Sequence, residues 1–539
     1  MKICLIQPPI DDFYTTEIRN IPLGLLLVGA QLKNHEVSLT DLRKGKIRAI
    51  AFPEEFPELK KYYRQDDKSP FGLYKNYSRF GYKKEEFDEI IPVDIDIFGI
   101  SANFTTYSDN VIEVIDFLRN QRPKAQIIVG GHACAATPGY FILYGADFEI
   151  YGEGELTFQD LIEAISKKQA NLSPIPNLVW KKDKKIVINE QKFIINLDDL
   201  AFADYNIPGT PVYSFGRKKH AMLMISRGCP NQCSFCSIHQ VMGYRYRTRS
   251  VDNVIAEIDE KIQQGFRSFD FEDDHFGGRK KWLNEFLDRI IENYSEYDLT
   301  FQAMNGITAT NLDENLLVKM KQAGFTSLNL ALVSEKEIEQ DYLNRPFNTE
   351  KFTDLVFLAK KHDFFVTAYI ILGLPGHTLE QMLNSILFLG ELPVLIGPSF
   401  FYLVPKTRIF DDCQKQNKIP ANIKMFRSSY MPYETDKFSR SDLMTLFRIT
   451  RIINFRKETK NVNFVPDYEI SGDILTVSTN IDSNGKRIQL GNALLKLLQT
   501  SGKVFGIKKL QKNRYQLREE NVNQSLVELF LSRLKKVQI

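Results

Sequence analysis

Cysteine is scarce, with six residues in a chain of 539. Six scattered thiols do not build a disulfide scaffold, so a reducing cytoplasm is the expected home, where thiols stay free to bind metal. Charge imbalance is nearly absent too. The 70 Lys and Arg stand against 67 Asp and Glu, a formal net charge of +3, which argues against a general nucleic-acid binder with its concentrated basic surface. Long apolar runs are also missing. IPLGLLLVGA over 21–30 is half of the ~20 residues a bilayer span needs. The start, MKICLIQPP, has one Lys and a very short apolar run before two prolines, and reads as a strand and loop rather than a secretion signal. There is no low-complexity tract and no internal repeat. What remains is ordinary for large globular cores, 43% hydrophobic and 25% charged, in a length that suits roughly three or four domains.

Periodicity divides the chain. Over residues 1–160 short apolar runs at 3–6, 36–40, 95–100, 126–130 and 148–151 alternate with helical patterns at 22–33, 107–120 and 136–144. Alternation with buried strands predicts a doubly wound parallel sheet, which binds ligands at the carboxyl ends of its strands. Pro8, Pro9, Ser101, Asn103, Gly130, Gly131, Gly152, Glu153, Gly154 and Glu155 fall there. Each glycine has a second reading, a tight turn with no ligand. The Tyr-, Lys- and Phe-rich insert at 51–92 reads as a surface excursion, and 161–219, with its hairpin-like VWKKDKKIVI, as a bridge.

A second alternation starts at 220. Strands are expected at 221–226, 267–271, 299–304, 327–332, 366–372 and 399–404, with helices at 251–264, 280–293, 312–322, 350–361 and 378–389. Ser250 suits the N-cap of the first helix and Gly265 its stop. Six βα units over 220–410 are too few for a closed eight-stranded barrel and predict a partial (β/α)6 barrel. Residues 411–539 form a small C-terminal region with a helical pattern at 523–536 and Lys-rich composition, read as a solvated helix face.

Cys229, Cys233 and Cys236 lie after the first barrel strand with the spacing Cys-x3-Cys-x2-Cys. Two metal readings compete. His239 could complete a Cys3His zinc site, the basis of an alternative in which the chain is a zinc-stabilised binding protein. A [4Fe–4S] cluster held by three cysteines would instead leave one iron open. The top of a βα barrel favours the second, because barrel chemistry takes place there.

CPNQCSFC resembles the signature of the radical S-adenosylmethionine enzymes, with Phe235 as its aromatic residue. FEDDHF (271–276), LNRPFN (343–348), ILGLPGHT (371–378) and PKTRIF (405–410) are similar to neighbouring motifs of that family. Upstream, IPLGLLLVGAQL (21–32), Gly130-Gly131 and YGEGE (151–155) resemble the N-terminal cobalamin (B12)-binding domain of one large class of these enzymes. The resemblance implies a Rossmann-like cobalamin domain and a partial barrel, and leaves the last ~130 residues, expected as a small α-rich region, unassigned. It implies Cys229, Cys233 and Cys236 as cluster ligands, with S-adenosylmethionine against Phe235, Glu272, Asp273, Ser334, Gly373 and Leu374. Helix N-terminal charge is the competing reading for Glu272, Asp273 and Asp274. It further implies cobalamin at Pro8, Pro9, Ser101, Asn103, Gly130, Gly131, Gly152 and Glu153.

Two positions depart from the family pattern. DLRKGK (41–46) carries Arg43 where many cobalamin domains have the cobalt-ligating His, and Ala331-Leu332-Val333-Ser334 lacks the Glu that relatives often show at strand four, although Glu335 follows. The expected activity is a cobalamin-dependent methyltransferase acting on an unactivated carbon of a small molecule through a 5′-deoxyadenosyl radical and methylcobalamin. A flavodoxin or ferredoxin would supply electrons. The alternative within the family is a cyclase, oxidase or carbon–carbon coupling enzyme, with cobalamin absent or not methylating. Arg245, Arg247 and Arg249 are expected to meet a carboxylate, a phosphate or the facing domain.

Overall fold

The computed structural model describes residues 1–14, 21–73, 76–336, 343–345, 347–460, 462, 464–478 and 482–534. The first sheet has seven strands: β1 (Lys2–Gln7), β2 (Glu36–Asp41), β3 (Ile97–Ser101), β4 (Gln126–Gly130), β5 (Phe148–Ile150), β6 (Leu178–Lys182) and β7 (Lys185–Ile188). Their spatial order is β7-β6-β5-β4-β3-β1-β2. The five strands from β5 to β2 are parallel. Order reverses between β1 and β3, so the ligand-binding switch point falls between their carboxyl ends. Strand alternation explains the two-sided burial. Ile3 and Leu5 face one hydrophobic cluster while Cys4 and Ile6 face the other, as side chains of period two must.

Two expectations change here. The hairpin read as part of the bridge is β6 and β7, and it extends the first sheet in antiparallel fashion. The insert at 51–92 is no surface excursion. Phe56, Tyr63, Phe71 and Tyr77 are buried, and the segment is tied to the distant C-terminal region, with Lys68 N donating to Ile507 O at 2.8 Å.

The barrel strands are β8 (Lys218–Leu223), β9 (Ser268–Phe271), β10 (Thr300–Gln302), β11 (Ser327–Ala331), β12 (Phe365–Leu372) and β13 (Leu395–Phe400). β8, β9 and β10 pair in parallel, as do β11, β12 and β13. A parallel bridge at Phe301 and Phe325 joins the two halves. The partial barrel is therefore a six-strand arc with helices between consecutive strands, at Val251–Gln263, Lys280–Tyr294, Glu314–Ala323, Thr349–Lys361 and Leu379–Glu391. Ser250 caps the first helix by accepting from Asn253 N at 3.2 Å, and Gly265 ends it at φ +87°. Buried phenylalanines fill the arc; Phe271 and Phe301 stack at 5.9 Å. β13 starts four residues before its expected position. Asn454, on the long helix Arg440–Thr459, bonds both Ile396 N (3.0 Å) and Ile396 O (2.8 Å) and so completes that edge. Phe401 N still donates to Leu372 O at 2.8 Å, but beyond it the chain leaves the sheet, and Leu403 N turns to Phe426 O at 2.9 Å.

The C-terminal region is rich in helix, with Arg440–Thr459, Ser483–Ser501 and Gln524–Leu534. Residues 535 and 536 of the expected last helix lie outside the described residues. The region also holds a four-stranded antiparallel sheet, β14 (Tyr468–Ser471), β15 (Ile474–Val477), β16 (Phe505–Gln511) and β17 (Arg514–Glu519), which the sequence did not announce. No helix among the described residues is long and apolar enough to cross a membrane.

One buried group makes the barrel acid-sensitive. His220 on β8 is 1% exposed, and its Nδ1 meets Ser268 Oγ at 2.9 Å. Burial pushes its pKa down to about 4 from 6.5. The folded chain keeps the ring neutral while the unfolded chain takes up a proton below pH 6.5. The stability this contributes is complete above pH 6.5 and is lost as pH falls towards 4, up to about 3 kcal/mol. Thermal unfolding should therefore drop more between pH 7 and pH 5 in the wild type than in His220→Asn. An equal drop in both would refute the assignment.

Candidate functional site

The site starts from a loop at the carboxyl end of β8. Ser226 and Arg227 pair in antiparallel fashion with Thr248 and Arg247, so residues 228–246 form an excursion closed at its neck. Gly228 at φ +80° makes the turn into it. A Cβ there would lie 2.5 Å from Arg245 O, so only glycine fits. Cys229 N donates to Gly243 O (3.3 Å) and Cys236 N to Cys233 O (3.0 Å), which folds the loop back on itself. Two later segments brace it. Ser234 N donates to Leu343 O (3.0 Å), and Ile409 N to Ser234 O (3.1 Å). Pro346, in the motif at 343–348, lies outside the described residues.

The three cysteines are brought together. Burial pushes the Cys236 thiol up to about 11, and the neighbouring Cys233 and Cys229 push the same way; burial and then Cys233 also raise Cys229. Three thiols, Cys229 and Cys233 buried and Cys236 partly so, that repel one another as thiolates suit a shared cation. The other cysteines, Cys4, Cys134 and Cys413, are buried in other elements. Among the described residues no three His, Cys, Asp or Glu side chains converge as one mononuclear ion requires, whereas a four-iron cube takes thiolates from wider positions. His239 stacks its ring on Tyr244, 4.7 Å away and 10° from parallel. The donor set fits a cluster with one open corner.

Two residues beside the cysteines went unread in the sequence. His275 Nδ1 lies 3.8 Å from Cys229 Sγ and 3.1 Å from Thr308 Oγ1. Arg345 reaches Cys233 Sγ at 4.0 Å and Ala331 O at 3.1 Å. Both stand inside the quoted motifs, where a single polar side chain gives no signal of what it touches.

The other barrel positions divide. Phe235 is partly buried against the main core. Glu272 sits at the end of β9 and accepts from Asn305 Nδ2 at 2.7 Å. Asp273 is buried beneath the loop, bonded to Ser226 Oγ, and its pKa is pushed up to about 7 by burial. Asp274 is likewise raised to about 7 by burial. Ser334 is buried. Leu374 is a core residue, and a Cβ on Gly373 would meet Leu443 at 2.9 Å. Gly373 and Leu374 thus follow β12, with Gly373 under Leu443 of the helix Arg440–Thr459. Val333 takes φ +72°, a costly backbone for a β-branched residue, just where the expected Glu is missing.

At the first sheet, Ser101, Asn103, Gly130 and Gly131 share the carboxyl edge at and beside the switch point, with Pro8 and Pro9 buried under it. Ser101 Oγ donates to Asn103 Oδ1 at 3.1 Å. Phe104, also missed, exposes 57% of its surface at this edge. Arg43 turns back on its own carboxylate neighbour. Asp41 accepts from Arg43 N (3.1 Å) and Nε (3.4 Å) and from Tyr213 OH (2.9 Å).

Gly152 and Glu153 have other company. A Cβ on Gly152 would press on Asn177 at 3.0 Å. Glu153 is wholly buried and accepts from Arg227 Nη1 (3.0 Å), Arg247 Nη1 (2.9 Å) and Ile194 N (2.6 Å). Glu155 pairs with Arg227 as well. Arg247 therefore meets the facing domain, and Arg249 pairs with Glu257.

Comparison with known proteins agrees with this layout. The Radical SAM superfamily model matches residues 223–389, and the B12 binding domain model matches 82–162. An uncharacterized methyltransferase of Pyrococcus horikoshii is 26% identical over 402 residues, 73% of this chain and 79% of that protein. The cytidylyl-2-hydroxyethylphosphonate methyltransferase of Streptomyces wedmorensis is 23% identical, covering 62% of this chain and 70% of its own. Among solved structures, the radical S-adenosylmethionine methyltransferase TsrM of Kitasatospora setae, with cobalamin and a [4Fe–4S] cluster bound, superposes with a TM-score of 0.60 at 17% identity, covering 77% of this chain and 78% of that one.

Proposed function

We propose that this chain, a radical S-adenosylmethionine enzyme with an N-terminal B12-binding domain, is a cobalamin-dependent methyltransferase acting on an unactivated carbon of a small molecule. One observation carries the reading: the only cysteine trio on one loop stands at the barrel's carboxyl edge, and that loop is ion-paired to the carboxyl edge of the first sheet. Two cofactor edges that face each other suit a reaction in which one makes a radical and the other gives up a methyl group.

Cys229, Cys233 and Cys236 would hold the cluster, leaving its fourth corner to the amino and carboxylate groups of S-adenosylmethionine. Phe235 and Glu272 would contact the bound S-adenosylmethionine. Asp273 acts from below by holding Ser226 and the loop's neck. The bound cofactors supply the chemistry, reductive cleavage to a 5′-deoxyadenosyl radical and methyl transfer from cobalamin. The chain's share is orientation and exclusion of water. Ser101, Asn103, Phe104, Gly130 and Gly131 offer the edge where a corrin would lie. Gly152, packed on Asn177, and Glu153, paired with Arg227 and Arg247, are engaged within the protein rather than offered to a corrin. Electrons would come from a small one-electron carrier of the flavodoxin or ferredoxin kind.

Arg43, folded onto Asp41, leaves cobalt without a histidine from this loop and favours one second reading, a radical cyclase or oxidase that uses no methylcobalamin. Anaerobically prepared protein decides. We expect about four irons per chain with matching sulfide, one corrinoid by its absorption, and both 5′-deoxyadenosine and S-adenosylhomocysteine from S-adenosylmethionine under reduction. Deoxyadenosine without corrinoid or S-adenosylhomocysteine would establish the second reading. Zinc without sulfide would remove both.

A further inference from the structure

We infer that Glu153, Glu155, Arg227 and Arg247 form a buried ionic latch that sets the register between the cysteine loop and the first domain, and with it the spacing of the two cofactors. The inference rests on the proposed function for its meaning, but its geometry stands alone. Arg227 and Arg247 face each other across the two-residue ladder that closes the neck of the loop 228–246. Their side chains are 4% exposed, and those of Glu153 and Glu155 are 0% and 7% exposed. Glu153 follows β5, and Glu155 opens the helix Glu155–Ser166. Both carboxylates thus belong to the first domain, while both guanidinium groups belong to the loop that carries every candidate cluster ligand.

The bonds are directional. Arg227 Nη1 reaches Glu153 (3.0 Å) and Glu155 (3.3 Å), and its Nη2 also reaches Glu155. Arg247 Nη1 reaches both oxygens of Glu153 (3.0 and 2.9 Å), and its Nη2 reaches Met242 O at 2.7 Å. The bridge segment joins in through Ile194 N on Glu153 (2.6 Å) and Phe193 under the Arg247 guanidinium at 5.6 Å. Four charges cancel in a dry junction. Burying them costs desolvation that a well-packed apolar junction would avoid, so the network adds little stability over such a junction. What it adds is a single permitted geometry, because planar guanidinium forks accept carboxylates in few orientations. These four are positioning residues; none need touch a reacting atom.

The test uses whole protein loaded with both cofactors. Glu155→Gln and Arg227→Lys are made singly. A fourfold variant, Glu153→Gln, Glu155→Gln, Arg227→Met and Arg247→Met, leaves no unpaired buried charge and covers the case in which a single change prevents folding. Iron and corrinoid contents are measured. Electron paramagnetic resonance then reads the magnetic interaction between cob(II)alamin and the reduced cluster, which depends on their separation. We expect retained cofactors, an altered interaction in each variant, and deoxyadenosine formation with dithionite changed by less than about threefold. A loaded variant with the wild-type interaction overturns the latch, as does loss of the cluster from the fourfold variant, which would make the network a plain folding element. Should wild-type protein take up no corrinoid, the proposed function fails, and the latch is read from hydrogen exchange of amides 228–246. Faster exchange in the variants supports it and unchanged exchange overturns it.

Discussion

Cys233→Ala should lose its iron. From about four irons per chain the variant is expected to fall to near none, and deoxyadenosine formation to background, while corrinoid binding stays at the wild-type level. Cys233 is the middle cysteine of the trio, and under the proposed assignment its loss would leave two anchors for a cube that would already lack a fourth protein ligand. Among the described residues no other cysteine lies on the loop, and His275, beside Cys229, is engaged by Thr308 Oγ1 at 3.1 Å. Cys4, Cys134 and Cys413 are buried in other elements, and His239 is stacked on Tyr244. The first domain should be indifferent, because the cluster of Cys4, Ile6, Phe98, Ile100, Ile127 and Val129 on one face of its sheet contains none of the loop. Cys413→Ala is the control. It removes a thiol from the main core, so it should cost stability and leave iron untouched. Iron retained in Cys233→Ala would mean that the cluster is bound elsewhere.

The fold was legible where burial on both faces forces a local pattern. Runs such as ICLI and QIIVG need no knowledge of their neighbours to read as interior strands, and β1, β2 and β4 lie where those runs predict. The cysteine trio was legible for a similar reason, since all its chemistry lies within eight positions. Reading failed where the partner is far along the chain. Nothing near Tyr63 shows that its hydroxyl bonds Ser429 O, so an aromatic, Lys-rich insert without periodicity passed for surface. Glu153 is the sharper case. A glycine-flanked acid at a strand's carboxyl end has the same local signature whether it meets a cofactor or another domain, and its partners Arg227 and Arg247 lie 74 and 94 residues away. The C-terminal sheet escaped because its strands are only four to seven residues long and carry polar side chains such as Glu469, Lys508 and Arg514, which suits an exposed antiparallel layer as well as a loop.

Gly130 and Gly131 separate the two roles that glycine can take at a strand end. Gly131 has φ +129° and ψ −173°, a region open almost only to glycine. A Cβ there would stand 2.6 Å from Ala102 O and 2.8 Å from Ala102 C, and backbone cannot swing aside as a side chain can. Gly131→Ala is therefore expected to destabilise the first domain by about 3 kcal/mol or more, strain and clash together, and to remove corrinoid binding with it. Gly130 is different. A Cβ there would meet only Ile150, at 3.8 Å, an ordinary contact, so Gly130→Ala should leave thermal unfolding nearly unchanged. Under the proposed function its extra methyl would stand at the carboxyl edge of the sheet, where a corrin would approach bare backbone. We expect corrinoid affinity to fall by about tenfold or more, roughly 1.4 kcal/mol, in a domain that unfolds as the wild type does. Wild-type affinity in Gly130→Ala would make that glycine part of the turn alone and move the corrin towards Asn103 and Phe104.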